Sequence, residues 1–369
     1  MASLPTSLSS FVGREAEIDQ IARLLETVRL LTLTGPGGVG KTRLALAVAN
    51  AAAVKDTYRD GVTVISLASV ADPALVGSAI ETVFGLSERG GRAPAEVVAA
   101  HLAGKELLLV LDNFEQVVDA APLVADLLRA CPSLTALVTS RVSLKVSGEQ
   151  ELIVQPLALP NPDSPASTEQ LLEYEAIALF EQRARESRID FEITADNGQT
   201  VAEICRRLDG LPLAIELAAA RVKLLPPSSL LGRLDRRLPL LTGGSRDLPA
   251  RQQTMRDTIA WSYDLLDAAE QRLFRQLSVF TGGWTLEAAE AICQVDADGP
   301  DVLDGLASLA DKSLLRRAAP SDQLNAGRFG LLETVREYGL EKLDQSTEAT
   351  LIHDRHAMYF AALAERVDP

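Results

Sequence analysis

The segment Gly35-Pro36-Gly37-Gly38-Val39-Gly40-Lys41-Thr42 fits G-x-x-x-x-G-K-[ST] in full, and it constrains the flanking chain more than any other feature. Such a loop needs a strand to deliver it and a helix that begins directly after it. Both flanks are present. Leu30-Leu31-Thr32-Leu33-Thr34 is an apolar run of strand length, and Arg43-Leu44-Ala45-Leu46-Ala47-Val48-Ala49 reads as a helix rich in Ala and Leu. The glycines let the backbone wrap a polyphosphate, and the N–H groups at the helix start then point at it. Ligand contacts are therefore expected from Gly35, Gly37, Gly38, Val39, Gly40, Lys41, Thr42 and Arg43. Lys41 is expected to reach the terminal phosphates, and the Thr42 hydroxyl to ligate Mg²⁺. A chain of this kind is expected to bind a nucleoside triphosphate such as ATP, or its ADP product.

The chain has 369 residues, 47% of them hydrophobic, which is enough for two or three domains with cores of their own. Its formal net charge of −15 repels a phosphate backbone, so direct DNA binding by this segment is not expected. Cys131, Cys205 and Cys293 are far apart and odd in number, and read as small buried thiols of a reducing compartment. His353-x-x-His356 could place two imidazoles on one helix face, but no further ligand completes a metal set, so a solvated helix surface is expected. Met1-Ala2-Ser3-Leu4-Pro5-Thr6 lacks the regions of a signal peptide. No charge-free apolar stretch reaches about 18 residues, so no membrane span is expected and the location is read as cytoplasmic.

Up to about residue 155 the chain alternates strand-like and helix-like segments, the pattern of an α/β domain with a parallel sheet. The expected strands are Leu30–Thr34, Val62–Leu67, Leu107–Leu111, Leu134–Thr139 and Leu152–Val154. The Pro-rich stretch Gln155–Pro165 can sustain neither helix nor ladder and marks a boundary. Helical spacing follows from about Glu169 to Leu234, with Asp209-Gly210-Leu211-Pro212 restarting a helix through Pro212 near its first turn. Leu241–Pro249 marks a second break. Helices then run to about Leu343, with Gly282-Gly283 and Asp298-Gly299-Pro300 as turns. Leu314–Arg317 and Arg328–Leu332 can pair as a hairpin, the wing of a winged-helix domain. His353 to Val367 reads as one amphipathic helix.

Glu106-Leu107-Leu108-Leu109-Val110-Leu111-Asp112 is an apolar strand ending in a carboxylate, and in a parallel sheet ligands collect at that end. Asp112 is the expected partner of Mg²⁺, through water, and of Thr42. Its other reading is an acidic cap of the following helix. The next residue is Asn113, not an acid, so Glu115 is the nearest group able to orient an attacking water. Arg141, after Thr139-Ser140, stands where a guanidinium could reach a γ-phosphate. On position alone it could equally be an exposed arginine that begins a loop. Lys41, Asp112, Glu115 and Arg141 make up the expected catalytic set.

Taken together, these blocks resemble the STAND branch of P-loop ATPases. The chain is similar to the NB-ARC-like module of bacterial transcriptional regulators of the AfsR/SARP and LuxR types. Phe11-Val12-Gly13-Arg14-Glu15, Gly35 to Arg43, Leu108 to Gln116 (LLVLDNFEQ), Thr139-Ser140-Arg141 and Gly210-Leu211-Pro212-Leu213-Ala214 carry the resemblance. Trp261–Leu266 and Leu331–Tyr338 extend it into the third domain. It implies an α/β P-loop NTPase with a parallel sheet, followed by a helical domain and a winged-helix domain. The implied bounds are 1–155, 156–244 and 245–345, with 346–369 opening a further helical region that could be tetratricopeptide-like. It also implies that Val12 and Arg14 line the adenine and ribose pocket, that Pro212 packs on the adenine, and that Arg141 senses the γ-phosphate.

The implied activity is a switch in signal transduction and transcription regulation. ADP holds it closed, and ATP with Mg²⁺ opens it for homo-oligomeric self-assembly. Slow ATP hydrolysis would reset it, and an effector or signal partner is implied but not identified. Relatives carry Met-His-Asp in the winged-helix domain where Arg328-Phe329-Gly330 stands here, so no histidine contact carries over. Two alternatives differ in class: a motor ATPase of the AAA+ kind, and a winged-helix DNA-binding protein tuned by nucleotide. The family's effector and repeat regions are not present in full, which fits a fragment or an isolated module.

Overall fold

A computed structural model of the chain describes residues 10–86, 91–161, 167–244, 253–293, 301–317 and 327–367. The segment Met1–Thr6, the second half of the Leu241–Pro249 break and the Asp298-Gly299-Pro300 turn lie outside the described residues, as does part of the Pro-rich connector. The chain forms two compact bodies: Met1–Gly35 with Val39–Gln155, and Pro36–Gly38 with Pro156–Pro369.

The first body is a five-stranded sheet with flanking helices. In chain order its elements are α1 (Glu15–Leu25), β1 (Leu30–Thr34), α2 (Lys41–Val54), β2 (Val62–Ser66), α3 (Val76–Val83) and α4 (Pro94–Leu102). They continue with β3 (Leu107–Asp112), α5 (Ala121–Ala130), β4 (Leu134–Thr139) and β5 (Glu149–Ile153). The strand order is β2-β3-β4-β1-β5, and every pairing is parallel. Parallel strands need helical crossovers, and these cover both faces of the inner strands. Accordingly β1, β3 and β4 are buried along their whole length, which is why they read as unbroken apolar runs. The edge strand β2 alternates instead, and β5 is mostly half-buried or exposed.

Four strands lie within one residue of the expected bounds. The fifth does not: β5 begins at Glu149, three residues before the expected Leu152. Its first half is Glu-Gln-Glu, polar because it faces solvent at a sheet edge, so the apolar cue covered only its end.

The strand order has a functional consequence. β4 pairs with β1 on one side and β3 on the other, so Thr34, Asp112 and Thr139 end three adjacent strands at one rim of the sheet. Phe114 is fully buried in the core just beyond Asp112 and pins the turn that leaves β3.

The second body is helical. It contains α6 (Thr168–Leu172), α7 (Glu175–Ser187), α8 (Gly198–Arg207), α9 (Pro212–Ala219) and α10 (Pro227–Leu231). Its later part contains α11 (Met255–Asp264), α12 (Ala268–Leu277), α13 (Leu286–Ile292), α14 (Val302–Asp311), β6 (Arg316–Arg317), β7 (Phe329–Gly330), α15 (Glu333–Asp344) and α16 (Ala349–Val367). Side chains at N-cap positions start several of these helices. Thr254, Asp267, Thr285 and Asp301 each accept an N–H from the first turn that follows.

The expected wing is present as the antiparallel pair β6–β7, and Trp284 adds a bridge to Phe329. Gly283, in the expected Gly-Gly turn, has φ of 92°, and a Cβ there would lie 2.5 Å from the Phe329 carbonyl oxygen. Arg328 donates to the Gly283 carbonyl, so Arg328-Phe329-Gly330 builds the wing.

Asp209 ties the earlier helices to the wing region. It sits buried in a left-handed turn, φ 56°, after α8. Its carboxylate accepts the Thr334 N–H at 3.2 Å in the first turn of α15, whose own N-cap, Leu332, has no capping side chain. Arg316 lies 3.9 Å from the same carboxylate. At the far end, Glu348 just before α16 accepts from Arg272, Arg275 and Gln276 of α12, each at 2.9 Å. The last helix therefore starts at Ala349, four residues earlier than expected.

Cys131, Cys205 and Cys293 are buried free thiols. His356 packs its ring against Phe280 and Phe360, while His353 faces Asp344 at the surface. Among the described residues, no helix is long and apolar enough to cross a membrane.

Candidate functional site

The loop leaves β1 through Gly35, whose φ of 141° suits glycine alone. A Cβ at Gly35 would stand 2.8 Å from the Val154 carbonyl oxygen, so the backbone passes too close for any side chain. Gly38 and Gly40 also have positive φ, 81° and 96°, whereas Gly37 does not. Gly40 is the N-cap of α2 and offers no side-chain oxygen to the first turn. The helix therefore begins with backbone donors directed out of its N-terminus, the arrangement that favours an anion.

Lys41 is the first residue of α2, and its Nζ donates to the Gly35 carbonyl at 2.7 Å. This folds the side chain back along its own loop. Burial lowers the Lys41 ammonium to about 8; Glu115 and Asp112 oppose that shift and Arg141 adds to it. All three expected partners are thus within electrostatic reach of the loop lysine.

Asp112 is buried at the end of β3 and is not a helix cap. Its Oδ1 accepts the Thr42 hydroxyl at 2.7 Å and the Thr139 hydroxyl at 2.6 Å. Burial raises its carboxyl above the usual range, and the two threonine hydrogen bonds partly offset this. Thr139 then accepts the Asn113 N–H at 3.0 Å, with Asn113 in a left-handed conformation of φ 63°. The ends of β3 and β4 are thereby bolted together. Thr139 was not expected as a site residue. Its signals in the sequence are a hydroxyl at the end of a mostly apolar strand and its place in the Thr139-Ser140-Arg141 block.

Arg141 is buried, which removes the reading of it as an exposed loop residue. Its Nε lies 3.5 Å from Glu115 Oε1, and the Asn113 amide donates to the same oxygen at 3.5 Å. Glu115 is therefore no isolated base beside Asp112, because it faces a guanidinium.

Arg14 is also buried, in a left-handed conformation ahead of α1. Its Nη2 donates to the Val39 carbonyl at 3.0 Å and to the Gln155 carbonyl at 2.8 Å. It braces the loop from behind. Arg43 donates to the Ser10 carbonyl at 2.6 Å and stands over the Phe11 ring, which holds down the stretch that includes the half-buried Val12. Pro212 opens α9 in the second body.

Among the described residues no cluster of three or more His, Cys, Asp or Glu could hold a metal ion. The donors at Thr42 and Asp112 fit Mg²⁺ of the kind that takes most of its ligands from water and substrate phosphates.

Comparison with known proteins agrees with this architecture. Residues 266–344 match the family described as a winged helix-turn-helix domain. The Walker-type ATPase PABY2304 of Pyrococcus abyssi superposes with a TM-score of 0.58 at 13% identity, over 92% of this chain and 99% of its own. The fold is thus that of a P-loop ATPase: a parallel sheet with flanking helices, followed by a winged helix-turn-helix domain.

In sequence, the "Putative HTH-type transcriptional regulator Rv0890c" of Mycobacterium tuberculosis is 42% identical over 343 residues, 92% of this chain and 36% of that protein. "Regulatory protein AfsR" of Streptomyces coelicolor is 29% identical over 91% of this chain and 32% of its own length. The chain thus spans about a third of these regulators, 36% and 32% of their lengths. The M. tuberculosis "Uncharacterized protein Rv0894" is 41% identical over 354 residues, 95% of this chain and 85% of that protein. On that identity and mutual coverage, the chain belongs to the family of Rv0894.

Proposed function

We propose that this chain is a nucleotide-dependent switch of the STAND type, closed with ADP and open and self-assembling with ATP. It regulates transcription through an effector outside the segment described. The observation that carries this reading is the Thr42–Asp112–Thr139 hydrogen-bond chain beside Lys41, at the rim where the glycine loop enters α2. The loop amides and Lys41 would hold the phosphates, and Thr42 with Asp112 would hold Mg²⁺, Asp112 through water. Bound Mg²⁺ would neutralise phosphate charge. Val12 is assigned to the base. Arg14 is assigned to the ribose side, where it acts on the loop through Val39.

Arg141 is assigned to the γ-phosphate, and Glu115 orients water once Arg141 is drawn to that phosphate. A base that must first lose its partner suits slow turnover. Nucleotide released from the purified, denatured protein should be mainly ADP; an empty site would count against the switch. Steady-state turnover well above about 1 s⁻¹, the low end of ordinary enzyme rates, would favour a motor instead.

A second reading has its own support. The winged helix-turn-helix match, and the printed name of Rv0890c, favour a DNA-reading domain. Against this, the exposed positions of α14, the helix before the wing, are Leu303, Asp304, Ala307, Ala310 and Asp311. That face offers carboxylates where phosphate contacts need Lys or Arg. The domain is therefore assigned a regulatory role. Salt-sensitive binding of the chain to duplex DNA at physiological ionic strength would reverse that assignment.

A further inference from the structure

The pair formed by Arg141 and Glu115 bears on which nucleotide the site prefers. Both side chains are nearly sealed from solvent, 9% and 3% exposed. Glu115 Oε1 faces the guanidinium at 3.5 Å, while Oε2 is buried with no hydrogen-bond partner. The backbone on either side of the carboxylate is held in place. Phe114 next to it is fully buried, and the Asn113 N–H is fixed on Thr139. A buried carboxylate that loses its counter-ion costs far more than the pair itself contributes, because water cannot replace the lost partner.

A nucleoside diphosphate cradled by the loop leaves this pair intact. A third phosphate brought to Arg141 meets a guanidinium that already has an anion. It must share Arg141 with Glu115 at close like-charge range, or pull Arg141 away and leave a buried carboxylate with only the Asn113 amide at 3.5 Å and the more distant charge of Lys41. Either route subtracts more from triphosphate affinity than from diphosphate affinity.

We propose that Glu115 is a specificity-determining residue: by holding Arg141 it makes the third phosphate compete for the guanidinium, and so biases the site toward ADP. This rests on the nucleotide-switch reading above. It adds the source of the bias, a resident carboxylate that competes for the sensor arginine.

The test uses the full chain with Mg²⁺ and a fluorescent ADP analogue, displaced by ADP and by a non-hydrolysable ATP analogue. In Glu115→Gln, which keeps the volume and removes the charge, the ratio of the two dissociation constants should move toward the triphosphate by at least about tenfold, as expected for relieving a close like-charge contact. Affinity for ADP should change less than affinity for the ATP analogue, so the ratio is the quantity read. Glu115→Met makes the same prediction, so the test survives if either uncharged variant fails to fold. Glu115→Asp keeps the charge but draws it back by one methylene, and should move the ratio less than the uncharged variants do. An unmoved ratio in a folded uncharged variant overturns the proposal, as does an equal shift in Glu115→Asp. If the unmodified chain binds neither nucleotide, the nucleotide reading itself fails; if it binds ADP and the ratio does not move, only this inference fails.

Discussion

Two glycine turns in this chain each open a helix, and their polar groups meet different fates. At Gly35–Thr42 the backbone passes within reach of Val154, and α2 begins with Lys41 after an N-cap that has no side chain. At Asp209–Pro212 a Cβ on Gly210 would lie 2.5 Å from the Leu157 carbonyl oxygen, and α9 begins with a proline that has no N–H to offer. The one carboxylate of that second turn, Asp209, is already taken by the N–H of Thr334. The first turn directs donors outward and supplies a cation; the second consumes its polar groups inside the protein. Glycine before a helix is therefore not the mark of a ligand site. What marks one is where the donors are left.

The contrast can be tested from its strongest consequence downward. Lys41→Ala should weaken nucleotide binding by more than about a hundredfold, since a charge-assisted contact to phosphate is lost in a desolvated setting. Titration with a fluorescent nucleotide checks this, and unchanged affinity would sink the cradle assignment. Asp209→Ala should leave that affinity alone and instead destabilise the second body by about 1–3 kcal/mol, the cost of an unpaired buried N–H. Denaturant unfolding followed at Trp261 and Trp284 reports it.

The pH dependence of nucleotide binding should be smaller and is set at the first turn. Free Lys41 titrates at about 8, and bound phosphate must raise that value. Affinity should therefore be level below pH 8 and fall above it, by at most about tenfold per pH unit. Dissociation constants measured from pH 7 to 9.5 would show the break. Thr42→Ser should have the smallest effect, within about threefold on Mg²⁺-dependent binding, because the hydroxyl that reaches Asp112 is retained. Thr42→Ala should lose the Mg²⁺ dependence.

The comparison also separates what was legible in the sequence from what was not. Strands β1, β3 and β4 announced themselves because strands buried on both faces must be apolar throughout. The loop announced itself through glycines that no other residue can replace. The hairpin at Arg316–Arg317 and Phe329–Gly330 was legible from its spacing. Lateral order was not. Nothing in the chain order says that β4 lies between β1 and β3, and that adjacency is what brings Thr139 onto Asp112 and Arg141 onto Glu115. Arg14 was equally opaque: its guanidinium acts on carbonyls 25 and 141 residues away along the chain.

That last contact has a mechanical meaning. A single guanidinium grips the Val39 carbonyl in the loop and the Gln155 carbonyl, the final residue of the first body. Gly35 presses against Val154, one residue earlier. The loop and the last residue of the first body thus share one fastening, and neither can shift alone without breaking a hydrogen bond to Arg14.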